Sequence, residues 1–318
     1  MKRTYLLGAL LLFGLLTSCE TTETTWTPPE GNNPNPENPL PTAQQFSAVR
    51  TLALQNITQD FTFNASDPVT TYISENGVEL TIYGGCLTRN GNPVTGNVDL
   101  EFVEIFNRGT MLVTNKPTMG AISGGSQQLL ISGGEFYVNI TQNGVQLEST
   151  CGVQLMVPAS LTGGLDNDML PFTGIIDANG NLVWNPEQTE FWAGGETNEQ
   201  PAYYALLQSF GWFNCDKFAN FQGEMTDIEI IVPAGYNNQN SSIFIALPGE
   251  LNTLGNLSGN YPVGLQCYII FVTATADGGF AYAIKNVTLT ADASYTFTSG
   301  EIQEVTEANF IALINALP

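Results

Sequence analysis

The chain contains no histidine. That absence removes Ser-His-Asp and Cys-His catalysis, and any zinc site built on imidazole. It leaves carboxylate-only chemistry, Ser-Lys chemistry and oxygen-ligand metals open. Basic residues are scarce as well: 8 Lys and Arg stand against 30 Asp and Glu in 318 residues. Lys2 and Arg3 belong to an N-terminal leader, so the mature chain holds six basic residues against 30 acidic ones, a net of −24. Nucleic acid is not an expected partner, because nothing neutralises its phosphates. Docking on anionic lipid headgroups is disfavoured for the same reason. Charged residues make up only 12% of the chain. The surface is therefore built mainly from Asn, Thr, Ser, Gln and Gly, which suits a protein outside the cytoplasm. The acidic excess favours solubility and specifies no partner.

Long apolar runs are missing apart from the leader. Lys2 and Arg3 form a positive start, and Tyr5 to Leu16 an apolar stretch. A helix of about a dozen residues covers ~18 Å, short of the ~30 Å of a bilayer core. Residues 1–18 therefore read as a signal peptide. It ends in "LTSC", the lipobox form, in which the Cys19 sulfur receives a diacylglycerol and becomes the first mature residue. Two or three acyl chains hold a protein on a membrane where one does not. Residues 19–42 read as a lipidated cysteine and a proline-rich disordered tether. "TTETTWTPPEGNNPNPENPLP" carries six prolines and almost no apolar residues, so it cannot bury a core. At ~3.1 Å per residue it holds a folded head up to roughly 65 Å from the membrane.

Cysteine is sparse and its spacing is informative. Beyond Cys19 there remain Cys86, Cys151, Cys215 and Cys267, none in a CxxC pair, so a four-thiolate zinc site is not expected. An even count in an exported chain points to disulfides. Three pairings exist, with four free buried thiols as the alternative. The pairing Cys86–Cys151 with Cys215–Cys267 keeps each bridge inside one expected domain. The first closes a loop of about 65 residues, roughly 4 kcal/mol in the chain-entropy model.

What is abundant is the vocabulary of turns: 32 glycines and 17 prolines, as a turn-rich all-β protein requires. From about Ala43 the pattern reads as β. "TTYISENGVELTIY" alternates around Asn76-Gly77, and "EFYVNITQNGVQLE" around Asn143-Gly144. "GIIDANGNLVW" turns at Asn179-Gly180, and "YIIFVTATADGGFAYAIKNVTLT" at Asp277-Gly278-Gly279. Asn-Gly and Asp-Gly between alternating runs are strong hairpin signals, since type I′ turns need positive φ. Short Val-, Ile-, Thr- and Tyr-rich strands at this spacing predict β-sandwiches. Two helices interrupt them. "NEQPAYYALLQSF" places Pro201 near a helix start. "TEANFIALINALP" offers a Thr306 cap and apolar residues at helical spacing. The organisation expected is a first sandwich over residues 43–195, a linker with a short helix at 196–210, and a second sandwich at 211–318 with a C-terminal helix. "VQLMVPAS" and "IEIIVPAG" recur in the two halves, which chance similarity between strands explains.

"NGNPVTGNVDLEFVEIFNRGTMLVTNKPTMG", followed by "LLISGGEFYVNITQNGVQLE" and "VQLMVPA", resembles a cassette of outer-membrane lipoproteins of the Bacteroidota. The resemblance implies a β-sandwich of ZU5-like, broadly Ig-like type. "GWFNCDKF" and the later "YPVG" resemble a second module that follows it. The family implies no settled activity, but it implies an outer-membrane location, cell-surface or periplasm-facing. Acid behind the lipid cysteine, here Glu20 and Glu23, resembles a signal for surface export. Some ZU5-like proteins cut themselves at a His-Phe-Ser step, which a chain without histidine cannot do. Cys86 stands where the cassette commonly has a proline-containing strand end, a departure that fits a Cys86–Cys151 link.

Four aromatic residues, Trp192, Tyr203, Tyr204 and Trp212, are the candidate ligand-binding set, since exposed flat rings beside Asn, Gln and Asp suit stacking on sugars. Filling an interdomain core explains the same rings. Asp177, Asn179 and Asn181 alternate like the opening of a calcium loop, but the glycine comes two positions early and the twelfth position is Gln188. A hairpin turn accounts for them, and a surface loop for Asp166 and Asp168. No cofactor and no catalytic residue is nominated. The function expected is that of a non-catalytic, lipid-anchored envelope protein for binding, adhesion or assembly, with a glycan or an envelope protein as partner. A glycan-capture lipoprotein is the first alternative and a carboxylate-based hydrolase the second.

Overall fold

The computed structural model describes residues 39–177, 181–189, 191–194 and 200–318. The leader, Cys19, most of the tether and the Asn179-Gly180 turn lie outside them. The protein is mostly β, with several sheets, a small five-stranded barrel and a short C-terminal helix. All described residues belong to one compact unit. The principal strands are β1 (Gln59–Asn64), β2 (Thr70–Ile73), β3 (Glu79–Ile82), β4 (Asn97–Ile105), β5 (Met119–Ala121), β6 (Gln127–Gln142), β7 (Val153–Pro158) and β8 (Leu170–Ile176). They continue with β9 (Leu182–Pro186), β10 (Phe191–Gly194), β11 (Ala202–Leu207), β12 (Gly211–Phe218), β13 (Ser241–Ala246), β14 (Gln266–Ala274), β15 (Phe280–Thr288) and β16 (Gln303–Val305). The helices are α1 (Ala43–Asn56), α2 (Arg108–Thr114) and α3 (Glu307–Asn315).

Local turn chemistry sets the hairpins. β2 and β3 pair with Ile73 opposite Glu79 across Asn76-Gly77. At Asn143-Gly144 both residues take positive φ, 53° and 72°, as a type I′ turn needs. β14 and β15 meet across Asp277-Gly278-Gly279, Ala274 opposite Phe280. α3 starts at the Thr306 cap and buries Phe310 and Ile314.

Two local assignments are corrected. The segment after Ala43 is a helix, not a strand. Thr42 and Gln45 cap each other's backbone reciprocally, and α1 turns Phe46, Val49 and Ala53 inward. The expected helix over "PAYYALLQSF" is β11, hydrogen-bonded to β7 on one side and β10 on the other. Ala and Leu favour helix intrinsically, but two ladders of backbone hydrogen bonds outweigh a propensity difference of a few tenths of a kcal/mol per residue, about 0.7 at most.

Three sheets enclose three cores. The first runs β10-β11-β7-β3-β2. The second runs β1-β4-β6-β12-β8-β9-β5, and β5 pairs back onto β6, closing β6-β12-β8-β9-β5 into the barrel. The third is built on β13-β14-β15-β16. Leu100, Phe102, Phe136 and Val138 of the second sheet meet Leu80, Leu155 and Ala205 of the first in one core. The second sheet's other face, with Val103, Phe172, Trp184 and Trp212, packs with the three helices and with Phe244 and Ile270 of the third sheet. Ile245, Ile269 and Phe271 turn to the third core. β12, which the sequence pattern places at the opening of a separate second module, instead lies inside the second sheet, between β6 and β8.

A bulge at Gly133-Gly134, opposite Cys215, shifts the β6–β12 register, so that Glu135 faces Asn214 and Ser132 faces Asp216. A Cβ on Gly133 would lie 2.6 Å from the Cys215 carbonyl oxygen, so the bulge requires glycine there. Cys86 and Cys151 are disulfide-bonded with Cα atoms 5.8 Å apart. Cys215 and Cys267 are not, which corrects the second expected pairing. They are buried free thiols in different cores, the first and the third. Burial pushes both thiols up, Cys267 to about 12. Arg108, fully buried, donates to the carbonyls of Ile314 and Leu247 at 2.9 Å and to that of Leu317, tying α3 to α2. Just ahead of α1, the Pro41 carbonyl accepts from Asn240 Nδ2 at 3.1 Å.

Candidate functional site

The four candidate aromatics separate by strand parity. Successive side chains of a strand point to opposite faces. On β11, Tyr203 turns inward and Tyr204 outward. Tyr203 is 1% exposed. Its hydroxyl accepts from the Asp166 N–H at 2.6 Å and donates to the Gly164 carbonyl at 3.1 Å, pinning the loop above it. Burial raises its phenol pKa. Trp212 is also buried, its ring 5.2 Å from Tyr137 and 6.4 Å from Trp184. Neither ring is available to a ligand, which corrects their nomination.

Trp192 is 52% exposed. Its ring lies 5.3 Å from that of Tyr204 with an interplanar angle of 9°. The pair heads a row that crosses the whole first sheet, one residue per strand: Trp192, Tyr204, Met156, Glu79, Ile73. Five strands at about 4.8 Å spacing give the row a length of roughly 19 Å. Beside it runs Leu206, Gln154, Thr81, Thr71. Trp192, Tyr204, Met156 and Glu79 of the first row and Gln154 and Thr81 of the second line a groove of about 570 Å³, to which Gln200 and Pro201 also contribute. The side chains of Glu79, Thr81, Gln154 and Gln200 make no hydrogen bond among the described residues, so their polar ends face solvent. Ile73 closes the row at 60% exposure. The arrangement combines a flat aromatic platform, a short apolar strip and uncommitted amide, hydroxyl and carboxylate groups. Alternation in "TTYISENGVELTIY" and "VQLMVP" already marks Ile73, Glu79, Thr81, Gln154 and Met156 as one-sided. Which strands adjoin is a tertiary fact that no local signal carries.

The remaining candidates resolve as structure. Asp177 Oδ1 accepts from the Asn181 N–H at 2.8 Å and Oδ2 from Asn181 Nδ2 at 3.3 Å, the bonds of a closed turn. Asn179 lies outside the described residues. Asp166 pairs with Lys217 at 2.5 Å, and that bond holds its carboxyl below the usual range. The pair lies in a cleft of about 920 Å³ between the loop at 161–169 and the segment 249–253. No group of three acidic or cysteine ligands suited to a metal ion occurs among the described residues.

Two carboxyls do lie close together. Glu135 and Asp216 are both fully buried on the barrel side of the second sheet. Asp216 accepts from Asn214 Nδ2 at 2.7 Å and from the Gly133 N–H at 3.3 Å. The Glu135 oxygens have no hydrogen-bond partner among the described residues. Trp184, close enough to influence Glu135, directs its indole N–H to the Pro117 carbonyl at 3.2 Å. Burial drives both carboxyls well above the ordinary range, and for Glu135 the neighbouring Asp216 adds to it. Sealed groups of this kind meet no substrate; they are polar members of a core. No protein-family profile matches the chain, and no curated protein matches its sequence.

Proposed function

We propose that this is a non-catalytic, lipid-anchored protein of the cell-envelope surface that binds glycan across the outer face of its first sheet. The observation that carries the reading is the parallel Trp192–Tyr204 pair at the head of an open groove. A pyranose has a C–H-rich face, and laying it on a flat ring removes apolar area from water. Its hydroxyls then reach Gln154, Thr81 and Glu79, which have no competing partner among the described residues. The anchor rests on the lipobox at Cys19 and the proline-rich tether behind it. The resemblance to Bacteroidota lipoproteins supports an outer-membrane, surface-directed location. On this reading the sheets form two sandwiches of ZU5-like, broadly Ig-like type, with β12 of the expected second module built into the second sheet.

Affinity electrophoresis of the mature chain in gels cast with plant, algal and host polysaccharides tests the binding. At least one neutral polysaccharide should retard the protein. Trp192→Ala and Tyr204→Ala should each weaken retention roughly tenfold or more, as loss of an aromatic anchor does. Equal retention of both variants, or no retention by any polysaccharide, would overturn the reading. For the anchor, Cys19→Ala should move the protein into the soluble fraction, and persistence in the membrane would refute lipidation.

A further inference from the structure

Cations are the scarcest side chains in this molecule, so where each goes is informative. Lys217 and Lys285 are ion-paired, with Asp166 and Glu301. Arg108 is consumed by three backbone carbonyls. Arg89 lies apart, in the strand Leu87–Arg89. The last two of the six, Arg50 and Lys116, line one pocket of about 610 Å³ between α1 and the C-terminal end of α2. No Asp or Glu lines it, in a mature chain with five acids for every base. Ser47, Thr51, Asn238 and Gln239 supply neutral polar groups around the two charges.

Both cations are held in place and only partly used. The Arg50 guanidinium lies 3.8 Å from the centroid of the Phe46 ring one helical turn earlier, and its Nη2 donates to Ser242 Oγ at 2.7 Å. The Lys116 ammonium donates to the Thr114 carbonyl at 3.1 Å and stands 5.3 Å from the Trp212 ring. That carbonyl takes one of three ammonium protons. Burial pulls Lys116 down to about 8; Glu135 acts against that fall, and repulsion from Arg50, the smallest of the three influences, adds to it. Glu135, which acts on Lys116, is not among the residues lining the pocket, and burial raises its carboxyl well above the ordinary range. Two like charges lining one pocket with no carboxylate in its wall are stabilised by an anion placed between them.

We propose that the α1–α2 pocket is an oxyanion-binding site, taking a small ligand through a carboxylate or sulfate group held between Arg50 and Lys116. The site is separate from the Trp192–Tyr204 face, and either stands if the other fails. Two sources offer this chemistry, a charged sugar and a free inorganic anion. Isothermal titration calorimetry of the mature chain with sodium glucuronate, sodium sulfate and glucose, at ionic strength fixed with chloride, distinguishes them. Glucuronate or sulfate should bind and glucose should not. Arg50→Gln and Lys116→Gln should each weaken binding roughly ten- to hundredfold, the loss expected of a charge-assisted contact. Lys116→Arg, which keeps the charge at the same place, should retain most of the affinity and guards against a folding defect. Binding of sulfate without glucuronate supports the site with an inorganic anion as its occupant. No heat with either anion, or unchanged affinity in both Gln variants, overturns it.

Discussion

Trp192 and Trp212 lie near each other in sequence, in two strands of similar composition, and end in opposite environments. Trp192 stands on the open face of the first sheet, stacked on one ring and otherwise facing water. Trp212 is enclosed by Tyr137, Trp184 and the Lys116 ammonium. The difference follows from what covers each sheet. The first sheet has a core on one face only. The second has one on both, because the helices and the third sheet lie across its other side. An aromatic ring on the first sheet's outer face is free for recognition, whereas one on the second sheet is committed to packing on either face.

Truncating the enclosed group should give the largest effect. Trp184 is fully buried beside Trp212. Trp184→Ala should lower stability by about 3–5 kcal/mol, read as a fall in the urea midpoint. A loss below about 1 kcal/mol would mean that the barrel side is not packed as described. An intermediate effect should come from the sealed carboxyls. Their folded pKa values lie above the unfolded ones, so the native chain keeps protons that the unfolded chain has released. Their contribution to stability is full below pH ~4 and declines as pH rises toward the folded values. The slope reaches ~1.4 kcal/mol per pH unit for each group. Glu135→Gln keeps the shape and removes the titration, so its urea midpoint should vary less between pH 5 and 8 and exceed the wild-type value at pH 8. Parallel pH profiles would refute the role of burial. The smallest effect belongs to the open face: Trp192→Ala should change stability by no more than about 0.5 kcal/mol while weakening glycan retention roughly tenfold or more. A large loss of stability there would erase the contrast.

Legibility in the sequence divides the same way, into local and tertiary. The hairpins at Asn76-Gly77, Asn143-Gly144 and Asp277-Gly278 and the α3 cap at Thr306 are set by residues within a few positions of each other, so the amino-acid order alone announces them. α1 is equally local, since the Thr42/Gln45 capping box is present in "PTAQQF", but the strand-rich sequence after it obscures the signal. β11 is not local. Its Ala-Leu composition points to helix, and only pairing with β7 and β10 makes it a strand. The even cysteine count beyond Cys19 allows three pairings, and only the fold selects Cys86–Cys151 alone. The separation of Cys215 from Cys267 depends on which core each strand faces. For the candidate surfaces, Trp192 and Tyr204 are visible as aromatics, but Met156, Glu79 and Ile73 join them only through sheet order. Arg50 and Lys116 meet only because α1 folds back against α2, so nothing near either residue announces the other.

The sixteen residues of β6 belong to two structures at once. Its Asp216- and Met119-facing end is a stave of the barrel, and its Glu104- and Asp99-facing end is an inner strand of the sheet over the first core. A single backbone therefore spans what would otherwise be a seam. The barrel and the sheet over the first core cannot peel apart as separate leaves without breaking that one strand, so a pull on either is shared across both.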